Sequence, residues 1–113
     1  MYIMFGNKVS KAEKLAAKKD ASGLIALTKD KNEEVRLAAI RGLGACDSDA
    51  AFNTLVPLVH DVSTSVRKAA VQALAQMNRP AGRVHIEHQM RVEKDQQVLS
   101  AMHTALSSLK DKM

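Results

Sequence analysis

The stretch EVRLAAIRGLG at residues 34–44 returns as SVRKAAVQALA at residues 65–75, with valine, arginine and alanine at matching positions. A third version, QVLSAMHTALS at residues 97–107, follows one residue later than the same 31-residue step predicts. Three copies of one pattern at a nearly fixed interval indicate a stack of similar structural units.

The three copies agree in chemical type along their length. The shared positions are an acid (Asp30, Asp61, Glu93), a helix-capping type (Asn32, Ser63, Asp95), a valine (Val35, Val66, Val98), two small residues (Ala38, Ala69, Ala101; Gly42, Ala73, Ala105) and a leucine (Leu43, Leu74, Leu106). The capping types accept hydrogen bonds from the first amides of a helix, and the apolar positions recur at helical spacing. Each copy therefore predicts a capped, amphipathic helix whose small residues allow close packing.

The segments between these copies are also predicted to be helical, which makes the chain all-α. The full pattern predicts seven helices, at residues 8–19, 22–29, 32–44, 49–60, 63–77, 80–91 and 95–110. We expect Asp49 to cap the fourth helix and Pro80 to lie in the first turn of the sixth. Pro57 lies inside the fourth helix and is expected to bend it.

The composition suits closely packed helices in one domain. Of the 113 residues, 46% are hydrophobic but only 3% are aromatic, so the core must be built from small aliphatic side chains and methionine. Cys46 is the only cysteine, and the sequence shows no secretory signal and no apolar run long enough to cross a bilayer. We therefore expect a soluble protein in the reducing cytoplasm, without a membrane partner.

A helical pair of about 31 residues with Asp, then Val-Arg, then Ala at fixed offsets resembles a HEAT repeat, in particular the short repeats of phycobilisome lyases. The resemblance covers residues 22–110 and implies an α-α superhelix, with first helices on the convex side and second helices on the concave side. It divides a single domain, residues 1–113, into four parts. These are an N-terminal extension with a capping helix (1–21) and three repeats (22–47, 48–78 and 79–113), the last being a C-terminal cap.

The same resemblance implies a structural role for the repeated arginine. In such repeats the turn aspartate and the arginine after the valine commonly form a ladder of charge-assisted hydrogen bonds, which would pair Asp30 with Arg36 and Asp61 with Arg67. The third repeat departs from this pattern, because Leu99 replaces the arginine. Leu99 is interpreted as part of a terminal cap, with a dimer contact as the alternative.

If the valine column faces inward, a second set of positions lies on the opposite, concave side of each second helix. These positions are Leu37, Arg41 and Gly44, then Lys68, Gln72 and Ala75, then Ser100, Thr104 and Ser107. They mix small, polar and basic side chains without an aromatic platform for stacking bases. The surface predicts a non-enzymatic scaffold or adaptor that binds another protein, and a chaperone role like that of the lyases is a variant of this prediction.

The basic charge is concentrated near the N-terminus. Residues 1–19 carry five lysines and one glutamate, whereas the other 94 residues carry 12 basic and 11 acidic side chains. Lys8, Lys11, Lys14 and Lys18 form a basic patch, so a nucleic-acid-binding module is the alternative function. A solvated face is favoured, and nucleic acid is not the expected partner. Contact between copies through the ends of the superhelix is compatible with either function.

No constellation of residues predicts chemistry. His85 and His88 share a predicted helix face, but a zinc site needs further ligands. Cys46 lies in a predicted turn without a histidine or aspartate partner, and the glycines at 42 and 44 lack the spacing of a phosphate loop. We therefore expect no catalytic residue, no metal and no cofactor.

Overall fold

The computed structural model describes the backbone of residues 3–110 and the side chains of residues 8–109. This part of the chain contains seven α-helices, as the sequence predicts: α1 (Ile3–Ala17), α2 (Ala21–Leu27), α3 (Glu33–Leu43), α4 (Asp49–Leu58), α5 (Thr64–Met77), α6 (Gly82–Met90) and α7 (Gln96–Lys110). All-α architecture is therefore confirmed for the described residues.

The second helices α3, α5 and α7 begin where the repeated capping residues predict. The side chains of Asn32, Ser63 and Asp95 accept the main-chain N–H three residues later, at 3.3, 3.3 and 2.9 Å. Each bond satisfies an amide that the helix leaves unpaired at its first turn.

The end of α1 is set by a left-handed residue. Lys19 has φ of 57°, which turns the chain and lets the N–H groups of Lys19 and Asp20 return to the carbonyls of Ala16 and Leu15. This is the hydrogen-bond pattern of a Schellman motif, and it ends the helix two residues before the predicted boundary. At its other end α1 begins at Ile3, five residues earlier than predicted.

Two local predictions around α4 and α6 were wrong, and a third is confirmed in part. Ser48, not Asp49, caps α4, since its hydroxyl accepts the Ala51 N–H at 3.1 Å. Pro57 lies inside α4 as predicted, as its penultimate residue, and the expected bend stays a prediction. Pro80 lies in the turn before α6, which begins at Gly82.

The helices form two layers. In one layer α1, α3, α5 and α7 lie side by side, and in the other α2 packs against α4; α2, α4 and α6 each cover the second helix that follows them. The largest fully buried side chains come from both layers: Leu24, Ile40, Leu43, Leu55, Leu74, Ile86, Met102 and Leu109. The valine column is buried too, so the second helices turn that face inward as predicted.

Candidate binding surface

The layer of α1, α3, α5 and α7 presents a surface with three adjoining grooves, which we call the groove face. The first groove lies between α1 and α3, the second between α3 and α5, and the third between α5 and α7, with volumes of about 260, 280 and 390 Å³. The grooves share walls: Arg41 borders the first and second, and Lys68 borders the second and third. They therefore form a row of neighbouring grooves across the repeats, which we call the track.

The structure brings most of the predicted concave positions together on this face. Those that line a groove are Leu37, Arg41, Lys68, Gln72, Ala75, Ser100 and Thr104. Gly44 is buried instead, because α3 approaches α5 closely there: a Cβ at Gly44 would lie 3.1 Å from the Ala73 Cα. Gly44 thus serves helix packing and is not part of the groove floor. Ser107 is exposed but lines none of the three grooves.

Sequence reasoning missed several lining residues. They are Val9, Glu13 and Glu34 in the first groove, Thr64, Ser65 and Gln97 in the second, and Ala101 and Ala105 in the third. Glu34, Ser65 and Gln97 occupy one column of the repeat, one turn before Leu37, Lys68 and Ser100. Extending the face by one helical turn would have found this column.

The third groove combines an apolar floor with walls that can form hydrogen bonds. Its alanines contribute methyl groups, while the walls carry the amides of Gln72 and Gln97 and the hydroxyls of Ser100 and Thr104. Lys68 Nζ donates to Gln97 Oε1 at 3.4 Å. Within residues 8–109, Gln72, Ser100 and Thr104 make no side-chain hydrogen bond, unlike Thr54, whose hydroxyl returns to the Ala50 carbonyl at 2.8 Å. Their hydrogen-bonding capacity faces solvent and a ligand can use it.

The repeated acids lie on another edge, at the turns before the second helices. Each carboxylate accepts the N–H of the capping residue two positions later: Asp30 from Asn32 at 2.9 Å, Asp61 from Ser63 at 3.0 Å and Glu93 from Asp95 at 3.1 Å. The acid column thus fixes the turn that orients each helix cap.

The repeated arginines reach the predicted turns but bind main-chain atoms there. Arg36 Nη1 donates to the carbonyls of Asp30 and Lys31 at 2.8 and 3.0 Å, and Arg67 Nη1 does the same to Asp61 and Val62 at 3.0 and 3.2 Å. The expected bonds to the carboxylates of Asp30 and Asp61 are replaced by these carbonyl contacts, because each carboxylate turns toward the amide of the capping residue.

Ion pairs to the acid column come from helices earlier in the chain, α1 for Asp30 and α5 for Glu93. Lys8 Nζ contacts Asp30 Oδ1 at 2.9 Å, and Arg67 holds both oxygens of Glu93 through Nε and Nη2 at 2.8 and 3.0 Å. Between the first and second repeats, Ser63 Oγ instead donates to Glu33 Oε2 at 2.6 Å. Glu93 has one methylene more than Asp61, which gives its carboxylate the reach to accept the arginine fork.

Two carboxyl groups of this column have perturbed titration. Burial raises the pKa of Glu93, but hydrogen bonds from Arg67, the Asp95 N–H and Gln89 outweigh it and hold that pKa below the usual range. The Asn32 N–H and then Lys8 lower the pKa of Asp30. Both groups are therefore held in the charged form as structural acceptors.

The basic patch divides in the structure. Lys8 binds Asp30, whereas Lys11, Lys14 and Lys18 are exposed and form no salt bridge with residues 8–109. Lys11 and Lys14 lie on one flank of α1, away from Ala12, which is buried, and Lys18 follows in the turn after the helix. We call these three lysines the lysine stripe.

The remaining candidates have packing roles. Cys46 is buried, its thiol donates to the Gly42 carbonyl at 3.5 Å, and burial raises the pKa of the thiol. The His85 ring meets Phe52 edge to face and the His88 ring meets His60. Residues 8–109 contain no cluster of three or more His, Cys, Asp or Glu side chains that could hold a metal ion.

Leu99, for which the sequence left a dimer contact as the alternative to a role in the terminal cap, is partly buried and packs against the core. The outward positions of α7 that line none of the grooves are Gln96, His103 and Ser107, all exposed and polar. Among the described helices, none is both long enough and apolar enough to cross a membrane.

Helical pairs stacked side by side, with a groove face along the second helices, define an α-solenoid. A family model described as HEAT repeats matches residues 21–107. The chain therefore belongs to the HEAT-repeat family, whose repeats are generally protein-interaction scaffolds. A search of curated proteins finds no match.

Proposed function

We propose that this protein is a non-enzymatic scaffold or adaptor that binds a segment of another protein on its groove face. The observation that carries the proposal is the row of three neighbouring grooves across α1, α3, α5 and α7. The side-chain amide of Gln72 and the hydroxyls of Ser100 and Thr104 make no hydrogen bond within residues 8–109. They support the proposal, because a polypeptide main chain offers complementary donors and acceptors.

Two neighbouring residues of α7 provide a matched test. Thr104 lines the third groove and His103 does not, although both are exposed on the same helix. Thr104→Arg should fill the groove and abolish capture of a specific partner from the source cell, while His103→Arg should leave capture intact. Circular dichroism melts check that both variants fold.

A second variant removes side chains instead of blocking the groove. The triple change Arg41→Ala, Lys68→Ala and Gln72→Ala takes three neighbouring contacts from the second and third grooves. It should weaken the same partner. Equal capture by the wild type, Thr104→Arg and the triple variant would contradict binding on this face.

A further inference from the structure

The three grooves differ in charge, and they do so in a fixed order. Glu13 and Glu34 line the first groove, with Arg41 at its border. Arg41 and Lys68 line the second groove, which has no carboxylate among its lining residues. Beyond Lys68 the third groove is lined by uncharged side chains. The track therefore runs from acidic through basic to neutral.

Of the charged groups in the first two grooves, only Lys68 makes a side-chain hydrogen bond within residues 8–109, at 3.4 Å to Gln97 Oε1. Within residues 8–109, Glu13, Glu34, Arg41 and Lys68 take part in no salt bridge. Glu13, Glu34 and Arg41 are exposed, so their charges face solvent. A bound segment with complementary charges would satisfy them.

The distance between neighbouring grooves sets how many residues separate the ligand side chains that enter them. Packed helices lie about 8–10 Å apart, and an extended chain advances about 3.3 Å per residue. A segment that crosses the second helices therefore moves from one groove to the next in about three residues.

From this order and spacing we propose that the groove face recognises an extended segment in which a basic, an acidic and a small uncharged residue follow one another about three positions apart. The inference rests on the proposed function and names the chemistry of its partner. The last position is uncharged because the third groove has no charged lining residue beyond Lys68, and a small residue there lets the main chain of the segment approach Ala75, Ala101 and Ala105. The amides and hydroxyls of its walls suit the main chain of the segment.

Two fluorescein-labelled peptides of identical composition test the order of charges. GKSGDSGSG carries the proposed order, and GDSGKSGSG exchanges the two charged residues. Anisotropy titrations at about 50 mM salt, where exposed charge pairs are weakly screened, compare their dissociation constants. The wild type should bind the first peptide roughly tenfold more tightly, since two partly exposed ion pairs become two repulsions in the second.

A charge-exchanged protein is the decisive control. Combining Glu13→Lys, Glu34→Lys, Arg41→Glu and Lys68→Glu leaves the net charge unchanged and reverses the pattern of the first two grooves. This variant should prefer GDSGKSGSG, and the preference of each protein should shrink as salt is raised. Equal affinities in the wild type, or a preference that the exchange fails to reverse, would overturn the proposed order.

Further outcomes separate this inference from the scaffold function. One outcome is that the wild type binds both peptides with equal affinity and Thr104→Arg abolishes both. The groove then binds extended segments without selecting the order of their charges, and only this inference fails. Failure of both peptides to bind at millimolar concentration overturns it too, while partner capture by Thr104→Arg and His103→Arg still decides the scaffold function. Displacement of the peptide by a single-stranded oligonucleotide, with the same sensitivity to Thr104→Arg, would overturn both.

Discussion

At the residue scale, the pair of Arg67 and Glu93 joins the last two repeats. The Glu93 side chain is only 1% exposed, and its two oxygens accept the Arg67 fork as well as the Asp95 N–H and the Gln89 amide. Arg67 also holds the carbonyls of the preceding turn. One guanidinium therefore ties together two turns that are distant in sequence.

Arg67→Ala should lower the free energy of unfolding by about 1–3 kcal/mol, because a buried carboxylate loses its partner. Arg36→Ala is the matched control. Arg36 holds two equivalent carbonyls, but its carboxylate contact, to Glu33, is long at 3.7 Å and more exposed. We expect its loss to cost below about 1 kcal/mol. Urea unfolding followed by circular dichroism measures both, and equal losses would contradict the role given to Glu93.

The lowered pKa of Glu93 makes this contact sensitive to pH. A carboxyl group with a folded pKa below its usual 4.5 stabilises the fold above that pH and loses this contribution as the pH falls through the folded pKa. Glu93→Gln should therefore be less stable than the wild type at pH 7, and the gap should narrow below about pH 4.5.

Thermal melts from pH 7 to pH 3 measure this gap, and Glu87→Gln is the control. Glu87 forms an exposed pair with Arg83 on α6, at 3.2 Å. Its replacement should change stability little at any pH in this range. A constant gap between Glu93→Gln and the wild type down to pH 3 would argue against a charged Glu93 in the folded state.

At the scale of the helices, glycine sets how closely α3 packs against its neighbours. A Cβ at Gly42 would lie 3.0 Å from both the Ala16 Cβ of α1 and a methyl group of Leu24 in α2. Such contacts are tighter than ordinary van der Waals distance, and Ala16 cannot move without its helix. Gly42 therefore permits the close approach of α1 to α3.

Gly42→Ala should destabilise the protein by about 1–3 kcal/mol, since overpacking exceeds the gain in helix propensity. Gly82→Ala provides the contrast, because the nearest atom to its new Cβ would be a Phe52 carbon at 3.7 Å. That substitution should be neutral or stabilising by up to about 1 kcal/mol. Chemical denaturation of both variants checks the difference, and a stabilised Gly42→Ala would show that α1 is free to shift.

The helices and their inward faces could be predicted from sequence, because capping residues and apolar spacing act locally. The carboxylate partner of Arg67 could not be predicted from sequence, since the contact joins residues 26 positions apart. The prediction for Gly44 was wrong for a related reason. Its position on the helix places it on the groove face, but the close approach of α5 buries it. Contacts between repeats depend on the distance between helices, which a single sequence does not encode in a readable pattern.

At the scale of the whole molecule, the two ends differ in charge. The lysine stripe lies on α1 and the turn after it, whereas the outward positions of α7 carry no lysine, arginine or carboxylate. The division into repeats at residues 22–47, 48–78 and 79–113 stays a prediction, although the family match spans most of it. A charged end on an otherwise nearly neutral solenoid raises the question of whether nucleic acid binds there.

Binding of a nucleic acid through the lysine stripe would release counterions, so affinity would fall steeply with salt and follow the number of lysines engaged. Lys8 is already paired with Asp30, which leaves Lys11, Lys14 and Lys18 with few simultaneous phosphate contacts. We therefore predict only weak binding of duplex DNA or RNA, lost near about 150 mM salt. Fluorescence anisotropy measures it, with Lys11→Glu, Lys14→Glu and Lys18→Glu combined as the test variant and Lys94→Glu, in the turn before α7, as the control. Sub-micromolar binding at that salt concentration, abolished by the triple change alone, would make nucleic acid the leading partner in place of a protein.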